Sequence, residues 1–357
     1  MKRWTICAAA LVALTGLATA CSSSAAAKDG RGATITLLTH DSFAVSKPVL
    51  AEFEKQSGIT VKVLHAGDAG KMVNQAILTK GKPLGDVLFG VDNTLLTRAL
   101  RAGIFDPYKP AALANVPVTY QIDNQDRAVP IDYGHVCVNY DKAWYADHHI
   151  TPPTSLQDLT KPQYKDQLVV EDPSTSSTGL AFLIATVAAN GDGDPKVGGW
   201  QPYWQRLRAN GVKVDAGWDQ AYDTDFSGSA GKGPRPLVVS YASSPPAEVL
   251  AAKPTPTVAP TGVLLDTCFR QVELAGVLKG TRHPKAARAF VDFMLSKRFQ
   301  ADMPLEMYVY PVVAGVPLPS VFEKFSEIPT QSLDVAPARI AQDRDRWIQE
   351  WTSTVLR

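Results

Sequence analysis

Ser174-Thr175-Ser176-Ser177-Thr178-Gly179 places a run of hydroxyls directly before an apolar stretch. Hydroxyls and backbone N–H groups at a helix N-terminus can hold an anion, and the same residue types also serve as simple N-caps. Trp218, Tyr241 and Tyr308 offer aromatic faces. Such faces attract delocalised cations, at roughly 0.5–2 kcal/mol each, although a single aromatic is more often a core or rim residue. Asp41 and Asp68 are the carboxylates suited to stand beside a cation, and either also suits the N-cap of a following helix. His40-Asp41-Ser42, Asp172 to Gly179 and Ser240 to Ser244 each follow a strand-like segment. Open parallel sheets bind small molecules beyond the carboxyl ends of their strands. The chain carries no Gly-x-Ser-x-Gly elbow, no His-Glu-x-x-His and no Gly-rich phosphate loop with Lys. Capture of a small solute therefore fits these residues better than hydrolysis by an exported enzyme, and no catalytic or metal-ligating residue is assigned.

These groups need a scaffold, and the pattern supplies an α/β one. Strands are predicted at 34–38, 60–64 and 86–89, with helices between them that start near Pro48, run over 71–78, and run from Thr94 to Leu100 before Gly103. Strand–helix alternation of this kind indicates a largely parallel sheet. A second unit begins near Val129-Pro130, with strands at 134–140, 168–171, 237–241 and 269–278, a short helix at 154–159 and an apolar helix at 179–189. Residues 223–236 read as a loop. Ala287, Phe290, Val291 and Met294 form one stripe of a helix over 284–296, and Ile340, Trp347 and Trp351 mark a final helix over 337–356.

With 36 basic and 35 acidic residues among 357, the chain lacks the basic excess of an electrostatic nucleic-acid binder. A hydrophobic content of 45% excludes a disordered chain. Only the first 20 residues form an apolar run: Lys2 and Arg3, then Ile6 to Leu17, then Ala18-Thr19-Ala20-Cys21. This is the pattern of a secretory signal peptide over 1–20. Leu17-Ala18-Thr19-Ala20-Cys21 resembles a bacterial lipobox, which implies lipidation at Cys21; a plain signal cleaved after Ala20 is the other reading. The small, polar segment that follows makes 21–33 a flexible tether. Cys137 and Cys268 then remain in an exported, oxidising compartment.

An ordered set of segments resembles one family. Tyr140-Asp141-Lys142, Pro152-Pro153-Thr154-Ser155-Leu156-Gln157-Asp158-Leu159, 164–173 and 285–294 are similar to the periplasmic solute-binding proteins of bacterial ABC importers. Asp41-Ser42-Phe43, Val91 to Leu96, Asp132-Tyr133-Gly134, Glu171-Asp172-Pro173, Gly217-Trp218, Ala221-Tyr222, Ser240-Tyr241, Ser244-Pro245 and Tyr310-Pro311-Val312 are similar to the thiamine-binding group within it, in the same order along the whole mature chain.

The resemblance implies a type II two-lobe fold with the ligand between lobes joined by crossing strands. Lobe 1 would comprise 34–128 plus 279–357, and lobe 2, with the hinge strands, 129–278. It implies a monomer that delivers thiamine, or a thiamine phosphate, to an ABC permease from the outer face of the cell membrane, with no cofactor beyond the transported ligand. The implied ligand set is His40, Asp41, Ser42, Asp68, Ser174, Thr175, Ser176, Ser177, Trp218, Tyr241, Ser244 and Tyr308. The family has a Tyr where this chain has His40 and another where it has Ala247. A polyamine, a phosphonate or ferric ion are alternative ligands of the same fold. Hard Fe³⁺ wants phenolate and carboxylate oxygens, and Tyr308-Val309-Tyr310 is not the adjacent pair that iron sites of this superfamily use. The two crossings run side by side in the family fold, so Cys137 and Cys268 could bridge or remain free, buried packing residues.

Overall fold

The structure is a computed structural model that describes residues 30–193, 198–229 and 232–357. The signal peptide and Cys21 lie outside the described residues. Residues 30–33, read above as the end of a tether, instead form a turn whose Gly32 N–H donates to the Gly58 carbonyl at 2.7 Å.

Ten strands form a single sheet. They are β1 (Thr34–Thr39), β2 (Thr60–His65), β3 (Val87–Asp92), β4 (Phe105–Asp106), β5 (Val129–Asp141), β6 (Leu168–Glu171), β7 (Lys213–Asp215), β8 (Leu237–Tyr241), β9 (Thr261–Leu278) and β10 (Tyr310–Pro311). The path runs β2-β1-β3-β9-β5-β8-β6-β7, with β4 on β9 and β10 on β5. β1, β2 and β3 pair in parallel at one end, and β6, β7 and β8 in parallel at the other. The antiparallel strands β5 and β9 lie between and belong to both ends. The Val87 to Val91 side of β3 pairs with the C-terminal half of β9, whereas Val136 to Tyr140 of β5 pairs with β8. β9 begins at Thr261, not at Phe269 as the sequence suggested, because Thr261 to Leu264 continue the ladder opposite Val138 to Asp141.

The helices considered below are α1 (Lys47–Ser57), α2 (Ala69–Leu78), α3 (Leu96–Ala102), α4 (Ser177–Asn190), α5 (Trp200–Ala209), α6 (Pro245–Ala251), α7 (Pro284–Met294) and α8 (Pro337–Val355). Pro48 starts α1, and Gly58 ends it in the left-handed region at φ 70°. The segment expected as a helix over 154–159 is shorter and lies at Asp158–Thr160 as a single 3-10 turn. α4 is buried from Ser177 to Val187, so its first turn lies inside the molecule.

One hydrophobic core lies under β1, β2 and β3, where Phe53, Phe290 and Phe293 pack edge to face and tilted against one another. A larger core surrounds α4. The sequence reading gave no element to α5, although Trp200, Tyr203, Trp204 and Leu207 are its buried stripe. α5 also moves α8 from its expected place. Assigned to lobe 1, α8 in fact packs Trp351 against Trp204 at 5.4 Å and takes the Arg208 guanidinium on the Thr354 carbonyl, while Arg101 of α3 donates to Ala341. Its apolar stripe needs apolar partners, and it packs on α5 and, to a lesser extent, on α3.

Candidate functional site

A cavity of about 210 Å³ opens beside Glu273 of β9, beyond the carboxyl ends of β1, β6 and β8. The aromatic side is built first. Trp218 and Tyr222 sit one turn apart around the start of a π-helical segment, Gln220–Asp225, and stack at 4.8 Å with 14° between planes. Both are fixed from behind: the Trp218 indole N–H donates to Ser240 Oγ at 3.0 Å, and the Tyr222 hydroxyl to Glu248 at 2.7 Å. Tyr241, at the end of β8, donates its hydroxyl to Gln271 at 2.7 Å, and its N–H donates to Ser244 Oγ. Tyr308 closes the cavity from the loop before β10. Its φ of 53° is unusual for a residue with a bulky side chain, and the Ser243 hydroxyl holds its carbonyl at 2.6 Å. Ala247, in the first turn of α6, lines the same wall with a methyl group only.

The rest of the lining is largely polar. Ser42, Asp68, Ser177, Thr178, Glu273 and Glu306 form it with His40. His40 is 6% exposed; its Nδ1 lies 3.0 Å from Ser42 Oγ and its Nε2 lies 3.4 Å from Glu273. Gly90 makes room for that ring. It sits at φ 98° in a bulge of β3, and a Cβ there would come 2.3 Å from His40 Cδ2. Asp68 caps α2 through the Ala69 N–H and, across the cleft, accepts the Trp218 N–H at 3.0 Å.

The carboxylates are arranged in depth. Behind Glu273, Asp132 faces it as its ladder partner, and neither oxygen of Asp132 has a hydrogen-bond partner. Burial, reinforced by Glu273, raises the Asp132 pKa well above the usual range. Asp92 accepts from Thr94, Leu95 and Gln271; burial still raises it, to about 7. Burial also raises Asp68, against the pull of its hydrogen bonds. Among the described lining residues, His40 is the single basic side chain, and against it stand the carboxyls of Asp68, Glu273 and Glu306. The cavity therefore combines stacked π faces with acidic groups, which suits a flat organic cation.

The structure thus brings His40, Ser42, Asp68, Ser177, Trp218, Tyr241, Ser244 and Tyr308 to one cavity. Asp41 and Thr175 line an adjoining outer cleft of about 490 Å³, together with Lys71, and share Ser42, Asp68 and Trp218 with the inner one. Ser174 and Ser176 line neither: the Ser174 N–H is turned onto Asp172, and Ser176 is the N-cap of α4, with its hydroxyl 2.9 Å from that of Thr178. The anion loop read from the hydroxyl run is therefore largely a capping structure. Sequence reasoning missed Tyr222, Glu273 and Glu306 as lining residues, whereas Thr178 belongs to the hydroxyl run. Two left a signal: Tyr222 is four residues after Trp218, and Glu273 alternates with Gln271 on one face of β9. Cys137 and Cys268, left open above, are joined by a disulfide between β5 and β9.

Residues 82–328 match the family described as bacterial extracellular solute-binding protein. The chain is 33% identical to the thiamine-binding periplasmic protein of Escherichia coli (strain K12), over 90% of this chain and 94% of that one. It is 31% identical to the thiamine-binding periplasmic protein of Brucella suis, over 97% of each. Among solved structures, a periplasmic thiamin binding protein superposes with a TM-score of 0.78 at 31% identity, covering 91% of this chain and 96% of the other. The fold is that of the type II periplasmic binding proteins. By sequence and by structure, the chain belongs to the bacterial extracellular solute-binding proteins, in the group of the thiamine-binding periplasmic proteins.

Proposed function

We propose that the protein captures thiamine, or a thiamine phosphate, outside the cytoplasm and hands it to the membrane subunits of an ABC importer. The observation that carries this reading is the pairing, in one cavity, of stacked aromatic rings, Trp218 on Tyr222, with the carboxyls of Asp68 and Glu273. Thiamine presents a cationic thiazolium and a flat aminopyrimidine, and each set of groups answers one of those features. The outer cleft, with Lys71 and Thr175 on its rim, is where a phosphorylated tail would emerge.

The protein acts as a binder and carries no catalysis of its own, working as a monomer tethered to the membrane through a lipid on Cys21. That anchor is checked by cell fractionation: wild-type protein stays with membranes and Cys21→Ser is found soluble. The ligand is checked by a thermal-shift panel of thiamine, its mono- and diphosphate, a polyamine and ferric citrate. Ligand at a hundredfold excess over Kd should add about 2.7 kcal/mol of stability. The reading predicts a shift with thiamine compounds and recovery of the ligand unchanged. A shift with the polyamine or iron alone would replace it.

A further inference from the structure

One imidazole, that of His40, lines the cavity. His40 is held by Ser42 at Nδ1 and lies 3.4 Å from Glu273 at Nε2, with its ring seated over Gly90. The charged and titratable groups around it come from several elements. Glu273 comes from β9, Asp68 from the N-terminus of α2, and Asp219 from the start of the π-helical segment. Asp132 of β5 stands opposite Glu273 in the ladder, its pKa raised by burial and by Glu273. β3 offers Gly90, the Phe89 ring at 5.8 Å and the buried Asp92, whose carboxyl feels the charge of Glu273, while from β2 the His65 ring reaches the His40 carbonyl. Burial disfavours the imidazolium, yet Glu273, Asp68 and Asp219 together lift the His40 pKa above its ordinary 6.5.

A cationic ligand needs the same negative charge. Glu273 and His40 both line a space of about 210 Å³, so a cation placed there lies within a few ångströms of the imidazole ring. Two positive charges in so small an enclosed site repel strongly, because little water screens them. We propose that protonated His40 is the resident counter-ion of Glu273 in the free protein, and that a cationic ligand takes its place, sending the His40 proton to the solvent. This rests on the reading that the ligand is a cation. The relation is reciprocal: the ligand weakens proton binding by the factor by which the proton weakens ligand binding. His40 gains protons below its raised pKa and loses them above it. Affinity should therefore rise with pH through that pKa, by up to about tenfold per pH unit for one exchanged proton, and level off above it.

The test is calorimetric titration of the whole mature protein with thiamine, from about pH 5.5 to 8, in pairs of buffers that differ in ionisation enthalpy. Wild type, His40→Gln and His40→Tyr are compared; the tyrosine variant restores a large ring should glutamine fail to fold. The expected result is proton release to the buffer and a rising affinity in wild type, with both lost in the variants, which still bind. Buffer-independent heats in wild type across the range would overturn the exchange, as would the same proton release from either folded variant. Absence of thiamine binding to wild type at every pH would overturn the functional reading itself, and the exchange with it.

Discussion

Trp218 is where indole chemistry and cleft geometry meet. Its backbone N–H is taken by Asp68, its ring N–H by Ser240, and its face by Tyr222, so little freedom remains for the ring. A preorganised face against a desolvated cation is worth about 2 kcal/mol, or roughly thirtyfold in affinity. Trp218→Ala should therefore bind thiamine about thirtyfold more weakly while remaining folded, as measured by calorimetry beside a circular dichroism melt. An unchanged affinity in a folded variant would remove Trp218 from the site. At this scale, residues with a distinctive chemistry were the legible ones: Trp218, Tyr241 and Tyr308 all line the cavity. The serines were legible only in part, with Ser42, Ser177 and Ser244 lining the cavity and Ser174 and Ser176 not, because a hydroxyl serves a cap as readily as a ligand and only the chain path tells which. Ser176 turned inward to cap α4, whereas its neighbour Ser177 reached the cavity and meets Gln271 at 3.1 Å.

Among the elements, α2 and the loop before α4 meet across the cleft. The Lys71 N–H donates to the Thr175 carbonyl at 3.1 Å, and the Thr175 hydroxyl donates to Ala216 at 2.7 Å. Gly70 permits this approach, since a Cβ there would lie 2.6 Å from the Thr175 carbonyl oxygen. Overpacking of this kind costs typically about 1–3 kcal/mol. The contact joins the two sides of the cleft and lies outside either core, so Gly70→Ala should hold the cleft more open. Expected outcomes are roughly a tenfold loss of thiamine affinity, from that cost, and a larger radius of gyration by small-angle scattering with ligand, at nearly unchanged melting temperature. A variant as compact and as tight-binding as wild type would show that this contact does not govern closure. Most elements were legible from period and punctuation, as α1 between Pro48 and Gly58 illustrates. α5 was not recognised despite its Trp200, Tyr203, Trp204, Leu207 stripe, and with it went the true neighbour of α8, because packing between distant segments leaves no local mark.

The whole molecule is organised by β5 and β9, which carry the sheet from one end to the other and are clamped by Cys137–Cys268 over a sequence separation of 131 residues. Closing so long a loop is worth up to ~4–5 kcal/mol on the chain-entropy model. Denatured, unreduced mature protein should show no titratable thiol from this pair, and the double serine variant should melt well below wild type. Two reactive thiols would mean that the crossing is held by strand pairing alone. The candidate cavity is reached from the loop after β1, the N-cap of α2, the first turn of α4, β8, β9 and the segment before β10. The most direct measurement of the central claim is calorimetric titration of purified mature protein with thiamine near neutral pH. The account predicts saturable binding at one site per chain, with thiamine recovered chemically unchanged. It would be contradicted if thiamine gave no binding heat at any concentration tested while the same preparation bound a polyamine or ferric ion.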